Sequence, residues 1–318
     1  MQIDVFNGDA DGICALVQLR LAEPLDSQLI SGPKREIDLL ERVSVAEGDC
    51  VTVLDISLEK NRSALDRVLA QGASVFYVDH HQAGVLPEHP RFKALIDTDA
   101  EICTSLLVDR HLQGQYRAWA VTAAFGDNLI ASAEQAARDL NLSADELKQL
   151  NDLGVCINYN GYGANVEDLH FPPEQLFKEL VPFATPFAFM RENKTIYQQL
   201  LTGYADDMAL ALAVATEYQT AKVAVYILPD AAWSRRISGV FGNELANRAP
   251  DRAHAVLSYT PKGDYQVSVR APLTNKTGAD DLCSAFATGG GRKAAAGINH
   301  LPIEQLPAFI TAFAQQYP

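Results

Sequence analysis

Near the start of the chain, three apolar runs each break off into acidic or imidazole side chains, and this pattern restricts the fold more than any other feature. Ile3-Asp4-Val5-Phe6 gives way to Asn7-Gly8-Asp9-Ala10-Asp11-Gly12, Cys50-Val51-Thr52-Val53-Leu54 to Asp55-Ile56-Ser57, and Ala73-Ser74-Val75-Phe76-Tyr77-Val78 to Asp79-His80-His81. Short runs rich in β-branched and aromatic residues read as strands. Helical patterns follow the first two, over Ile13–Arg20 and Lys60–Gln71, so strand, acidic turn and helix recur as units of a parallel sheet. Open parallel sheets keep their ligands at the C-terminal ends of the strands. Asp9 and Asp11, two apart, point to one side of an extended segment and repel unless a cation lies between them. Singly, each motif also has a plainer reading, with Asp11 near a helix N-terminus and Asp79 as a helix cap before two solvated histidines. In succession they predict a polar site across the sheet edge, suited to a divalent metal or a phosphate.

The remaining sequence continues the mixed α/β rhythm. Asp99 to Ser105 leads into a helix through Leu112, which Thr104 or Ser105 is placed to cap. An apolar segment, Tyr116 to Ala124, ends in Phe125-Gly126-Asp127-Asn128, another acid at the end of an apolar run. Helices follow from Ser132 to Leu153, with Ser143-Ala144-Asp145-Glu146 as a start signal. Asn158-Tyr159-Asn160-Gly161-Tyr162-Gly163 reads as a loop, by turn chemistry or as a lid whose tyrosines stack on bases. Pro172-Pro173, Pro182 and Pro186 interrupt a mostly helical stretch and mark the domain junction. Beyond it, Lys222–Leu228, Ala253–Tyr259 and Tyr265–Arg270 read as strands, and Ala279–Ala287 as a helix. Gly289-Gly290-Gly291-Arg292-Lys293 reads as a loop whose backbone amides and charges, with Arg270 nearby, suit a phosphate.

Composition narrows the function. The chain has 318 residues, enough for two domains, and no apolar run approaches the ~20 residues of a membrane span. Its first residues read as a strand and lack a signal-peptide pattern. Five scattered cysteines argue for reduced thiols and a cytoplasmic location, with no disulfide framework or zinc site. A net charge of −14 argues against coating long duplex nucleic acid through a general basic surface.

With these residues in view, the sequence resembles the DHH/DHHA1 phosphoesterases, the RecJ-type exonucleases, nanoRNases and their relatives. The markers are Asp9-Ala10-Asp11-Gly12, Asp55, Asp79-His80-His81, Gly126-Asp127-Asn128 and Gly289-Gly290-Gly291-Arg292, in the family's order over nearly the whole chain. The resemblance implies an α/β fold: a DHH catalytic domain over residues 1–185 with a parallel sheet flanked by helices, a helical linker over 186–215, and a smaller α/β DHHA1 domain over 216–318 across a cleft. It implies two divalent ions, Mn²⁺ with Mg²⁺ as the alternative. Asp9 and Asn7 fall to the first ion, Asp11, His80 and Asp127 to the second, with Asp55 bridging and Asp79 orienting a ligand or touching the first ion. His81 faces the scissile phosphate, and Arg270, Gly289, Gly290, Gly291 and Arg292 hold the rest of the substrate. Two departures stand out: many members carry a histidine shortly before the first Asp pair, where this chain has Asn7 and Val5, and their glycine loop usually ends in His, not Arg292.

The activity expected is Mn²⁺-dependent hydrolysis of single-stranded nucleic acid or short oligonucleotides by a hydroxide bridging two ions. The alternative substrates are small nucleotides, a cyclic dinucleotide or 3′-phosphoadenosine phosphate. A third reading, from another class, is a non-catalytic nucleotide-binding regulator. Asp55, Asp79 and His81 are the expected catalytic residues, in a monomer or homodimer without a membrane partner.

Overall fold

The computed structural model describes residues 1–318, which divide into two compact units, Met1–Thr202 and Gly203–Pro318. In the first unit the strands β1 (Gln2–Phe6), β2 (Gln28–Ile30), β3 (Cys50–Leu54), β4 (Ser74–Asp79) and β5 (Phe92–Ile96) form one wholly parallel sheet in the order β2-β1-β3-β4-β5. β1, β3 and β4 are buried over most of their length, as parallel strands covered on both faces must be. One face packs Ile3, Val5, Val51, Val53, Val75 and Tyr77 against Leu65, Val68 and Leu69 of α2 (Arg62–Ala70).

The first helix, α1 (Ala10–Ala22), is buried continuously from Ala10 to Arg20. A helix buried on every face belongs in an interior, and α1 lies among α3 (Thr104–His111), α4 (Arg117–Gly126), α6 (Ala144–Asn160) and α7 (Pro173–Leu180), with α5 (Ile130–Ala137) packed on α4. A buried ion pair ties α1 to β1. Arg20 donates from Nε and Nη2 to the two carboxylate oxygens of Asp4, at 2.8 and 2.7 Å, and Ser27 and Gln2 also donate to that carboxylate.

Strand order decides where the site lies. The chain leaves β1 toward β2 on one side and reaches β3 on the other, so the connections diverge and open a crevice at the C-terminal ends of β1 and β3. Asp9 and Asp11 follow β1, Asp55 follows β3, and Asp79 closes β4.

The second unit is a mixed sheet in the order β10-β11-β9-β8-β7-β6. It comprises β6 (Thr216–Gln219), β7 (Val223–Ile227), β8 (Ala253–Tyr259), β9 (Tyr265–Arg270), β10 (Gly289–Arg292) and β11 (Ala295–Leu301). Only β7 and β8 run parallel, joined through α10 (Ala232–Arg248). Residues Phe309, Phe313 and Tyr317, on and just after α12 (Leu306–Gln316), join Val267, Val269, Ile298 and Leu282 of α11 (Ala279–Ser284) in its core.

Several local expectations change. The glycine run is an edge strand, not a loop: Gly289 to Arg292 pair antiparallel with Ile298 to Ala295. A Cβ at Gly289 would stand 1.8 Å from the Cys283 carbonyl oxygen, and one at Gly291 2.5 Å from the Ala296 Cα, so close packing requires both glycines. Asn158, Tyr159 and Asn160 form the buried last turn of α6, not a loop. The sequence pattern marks none of β2, β5, β6, β11 and α12. The stretch read as a linker, 186–215, contains α8 (Pro186–Glu192) and α9 (Lys194–Leu212), and the division between the units falls within α9. No helix is long and apolar enough to cross a membrane. All five cysteines are unpaired, four of them buried.

Candidate metal centre

The turn after β1 shows how the first acids are held. Asp9 is the N-cap of α1, and its Oδ1 accepts the amides of Asp11 and Gly12, both at 3.0 Å. Asp11, fully buried in the first turn of α1, reaches across to α3. Its Oδ2 accepts the Thr104 amide at 2.7 Å and its Oδ1 the Ser105 amide at 2.6 Å. Asp11 thus caps α3, rather than Thr104 or Ser105, whose hydroxyls donate instead to the Asp55 carboxylate (3.3 Å) and the Asp11 carbonyl (2.8 Å).

Asp55 has a left-handed backbone, φ +59°, directly after β3. That conformation is costly for an L-residue and persists where the side chain is needed. His80 follows β4. Its Nδ1 lies 2.9 Å from the Ile102 carbonyl oxygen, a partner that only accepts, so Nδ1 carries the proton and Nε2 faces the acids. That nitrogen is 3.4 Å from Asp55 Oδ1 and 4.0 Å from Asp11 Oδ2. Two groups share His80: Asp55, His80 and His81 on one side, Asp11, His80 and Asp127 on the other, the ligand atoms of each lying within 4.8 Å of one another. Asp127 is the C-cap of α4.

The electrostatics are those of an acid cluster crowded around one imidazole. Burial, and then the charges of Asp55 and Asp127, push the Asp11 carboxyl above its usual range. Burial and Asp9 do the same to Asp55. Burial opposes charge on His80, but the hydrogen bond to Asp55 and the charges of Asp55, Asp11 and Asp127 outweigh it and lift His80 to about 10. Buried carboxylates that resist ionisation together are relieved by a divalent cation among them. Their oxygens with one imidazole nitrogen suit a hard or borderline ion such as Mn²⁺ or Mg²⁺. The nearby thiols do not compete, since burial pushes Cys14 and Cys103 well above the normal thiol range. The two groups that share His80, Asp11 with Asp127 and Asp55 with His81, therefore have the donors an ion needs.

Asp79 stands behind His81, the outermost member of the Asp55 group. Asp79 is fully buried, with its Oδ1 2.7 Å from His81 Nδ1 and its Oδ2 without a hydrogen-bond partner. His81 keeps 43% of its side chain exposed. Burial lowers its proton affinity, but the Asp79 hydrogen bond and the charges of Asp55 and Asp79 raise it above the usual histidine value. A buried carboxylate at Nδ1 thus directs Nε2 outward, as an orienting acid does for a working imidazole.

Two expected ligands are placed differently. Asn7 Oδ1 accepts the Asp9 amide at 3.2 Å, and its Nδ2 donates to the Lys34 carbonyl oxygen at 3.2 Å, so its side chain serves the backbone. Asp9 joins neither group, because its Oδ2 is 2.5 Å from the Lys34 ammonium. That ammonium also lies 3.1 Å from Asp127 Oδ1 and from Asn158 Oδ1. Lys34 escaped sequence reading because its partner Asp127 is 93 residues away and no periodicity links them.

In the second unit, register aligns the expected phosphate-binding residues. Arg292 pairs with Ala295, which pairs with Arg270. Arg270 donates to Asn243 Oδ1 at 2.7 Å and to Ser268 Oγ at 3.0 Å. Arg292 is exposed, and a Cβ at Gly290 would meet nothing within 4 Å. Arg235 and Arg236 of α10 pair with Asp230 and Asp207 at 2.7 and 2.8 Å.

No family profile and no curated protein sequence matches the chain. Solved structures do. A DHH-domain protein described as belonging to a family of ribosomal proteins aligns with TM-score 0.63 at 15% identity, over 99% of this chain and 86% of its own. The exonuclease RecJ bound to manganese gives 0.61 at 16% identity, over 100% and 91%. The pGpG-specific phosphodiesterase PggH from Vibrio cholerae gives 0.55 at 16% identity, over 99% and 98%. With the parallel sheet, its strand-end acids and a second sheet unit in place, the fold of this chain is that of the DHH/DHHA1 proteins.

Proposed function

We propose that this chain is a metal-dependent phosphodiesterase acting on short single-stranded oligonucleotides or small nucleotides. The observation that carries the reading is the pair of cation-holding groups fused at His80, set in the crevice of a parallel sheet beside a half-exposed His81. A divalent ion held there supplies positive charge to a phosphoryl oxygen and acidifies water for attack on phosphorus. The chain's own residues do the rest. Asp11, Asp55, His80 and Asp127 hold the ion, with Asp11 and His80 fixed by the Thr104 and Ser105 amides and the Ile102 carbonyl. His81 Nε2 donates a proton or a hydrogen bond to the departing oxygen, while Asp79 holds the ring. Gly290, Arg292 and Arg270 supply amide and guanidinium donors for a further phosphate in the second unit.

The fold is shared with an exonuclease and with a phosphodiesterase named for pGpG, a linear dinucleotide. A net charge of −14 favours the shorter substrate, because a long polyanion gains affinity by releasing its counterions as basic side chains neutralise its phosphates. The test is a series with Mn²⁺ or Mg²⁺ in which end-labelled single-stranded DNA, RNA, a linear dinucleotide, a cyclic dinucleotide and 3′-phosphoadenosine phosphate each meet the protein and its Asp55→Ala variant. Hydrolysis of the dinucleotide or short oligonucleotides that disappears with Asp55→Ala is expected. Hydrolysis of none of them, or full activity in Asp55→Ala, would remove the proposal.

A further inference from the structure

A cation already stands inside the acidic cluster. The Lys34 ammonium meets Asp9 Oδ2 at 2.5 Å, Asp127 Oδ1 at 3.1 Å and Asn158 Oδ1 at 3.1 Å. An ammonium has three N–H donors, and here three oxygens take them. The residue is seated, not reaching in from a free loop. Its amide donates to the Gly161 carbonyl oxygen at 2.8 Å, its carbonyl accepts from Asn7 Nδ2 at 3.2 Å, and its ammonium lies 5.5 Å from the centre of the Tyr162 ring. The loop lies so close to the turn after β1 that a Cβ at Gly8 would stand 2.1 Å from the Gly32 carbonyl oxygen. Burial disfavours the lysine charge, but Asp127 and Asp9 outweigh it and raise Lys34 well above the usual lysine range.

The residues expected to hold a first divalent ion have thereby committed their donors to the chain. Asp9 gives one oxygen to the amides of Asp11 and Gly12 and the other to Lys34. Asn7 gives its oxygen to the Asp9 amide. The oxygens and imidazole grouped around His80 contain neither residue. A second divalent ion at Asp9 would have to displace an ammonium from three oxygens at once.

We propose that Lys34 is a built-in replacement for one of a pair of divalent ions, so that the chain takes up a single ion, at Asp11, Asp55, His80 and Asp127. The lysine supplies fixed positive charge on the Asp9 side, and the divalent ion alone supplies Lewis acidity. This inference rests on the reading of the His80 cluster as a divalent-ion site, and the experiment separates the two.

Metal-stripped full-length protein is titrated with MnCl₂, and free Mn²⁺ is followed by its six-line electron paramagnetic resonance signal, with calorimetry as a second count. Wild type is expected to bind one ion per chain, Lys34→Arg one, and Lys34→Met two, the second on the Asp9 and Asp127 oxygens that the ammonium vacates. Circular dichroism reports whether each variant folds, and the wild-type count tests the proposal even where a variant does not. Two ions in wild type or in Lys34→Arg would overturn the role of Lys34 while leaving the cation site intact. One ion in folded Lys34→Met would also overturn it, since removing the ammonium would then open nothing. No ion in wild type would overturn the cation site and the lysine proposal together.

Discussion

Replacing Asp55 by glycine separates the cost of the site from its use. Asp55 sits at φ +59° with 2% of its surface exposed. A left-handed backbone costs an L-residue about 1–2 kcal/mol, somewhat less for Asp, whereas glycine adopts it freely but costs about 0.5–1 kcal/mol through the unfolded chain. These terms nearly cancel. The rest depends on the carboxylate. Burial and Asp9 raise its proton affinity above that of the unfolded chain. For an acid this sign means that the unfolded state ionises first and stability falls as pH rises between the two values. At pH 7.5, without metal, burial of the side chain is therefore a burden, offset by the Thr104 hydroxyl bond at 3.3 Å, worth about 1 kcal/mol, and by the charge and hydrogen bond of His80 at 3.4 Å. Asp55→Gly should leave the metal-free protein within about 2 kcal/mol of wild type, a change in Tm of no more than several degrees at about 2–4 °C per kcal/mol. Manganese sets the two apart. At a hundred times its Kd an ion adds about 2.7 kcal/mol to wild type, and the variant should gain almost none. Scanning calorimetry in EDTA and then in Mn²⁺, with phosphodiester hydrolysis measured on the same samples, tests this. Turnover should fall by at least about 100-fold. A variant more than about 2 kcal/mol less stable in EDTA, or one that keeps the manganese-induced rise, would refute the reasoning.

Four further outcomes follow from named contacts. Asp4→Ala leaves Arg20, 7% exposed, without its bidentate partner, and should cost about 3–5 kcal/mol by urea denaturation, largely recovered in Asp4→Leu combined with Arg20→Met. His254 is buried, its Nδ1 has no partner, and burial and Arg252 depress it to about 4 from an ordinary 6.5. The unfolded chain therefore binds the proton first, so this contribution is complete above pH 6.5 and is lost as pH falls toward 4, at most about 3 kcal/mol, and His254→Leu should flatten that part of a Tm-against-pH curve. Gly289→Ala should destabilise the second unit by meeting the Cys283 carbonyl, whereas Gly290→Ala, facing open space, should keep the wild-type Tm and weaken substrate affinity; unchanged affinity would take the glycine strand out of the binding site. Asp79→Asn should lower turnover about 10- to 100-fold with little change in Mn²⁺ stoichiometry, since it orients His81 and joins neither cation-holding group; an equal loss of bound metal would contradict that division.

The sheet edge was legible because its signal is local. A β-branched run that stops at an acid states both a strand and its end, so Asp9, Asp55 and Asp79 could be placed from sequence alone, and their convergence followed from parallel pairing. Asp127 was legible for the same reason, as the acid closing an apolar segment, which the structure makes α4. The glycine strand was not. Its reading as a loop rests on an intrinsic preference, and what makes it a strand is pairing with β11 and the closeness of the Cys283 carbonyl, neither visible along the chain. The sequence pattern puts Asn158 on a loop because asparagine and glycine favour turns, while α6, started by a complete Ser143–Glu146 capping box, carries on through it.

What sequence could not supply is the state of each donor once the chain has closed around it. Counting acids at strand ends yields enough oxygens for two ions, and a resemblance to two-ion enzymes makes that count natural. The structure allots the same oxygens otherwise. Asp11 caps a distant helix with both oxygens yet stays within reach of His80, because each carboxylate oxygen keeps a second lone pair for an ion. Asp9 also caps a helix, but its other oxygen faces the Lys34 ammonium and it joins neither group around His80, whereas Asp127, which meets the same ammonium, stays grouped with Asp11 and His80. The two acids are chemically identical and two residues apart; their difference lies wholly in Thr104, Ser105 and Lys34, which reach them from elsewhere in the chain. The number of ions a strand-end cluster holds is thus set less by its carboxylates than by which of them the fold has already supplied with a cation.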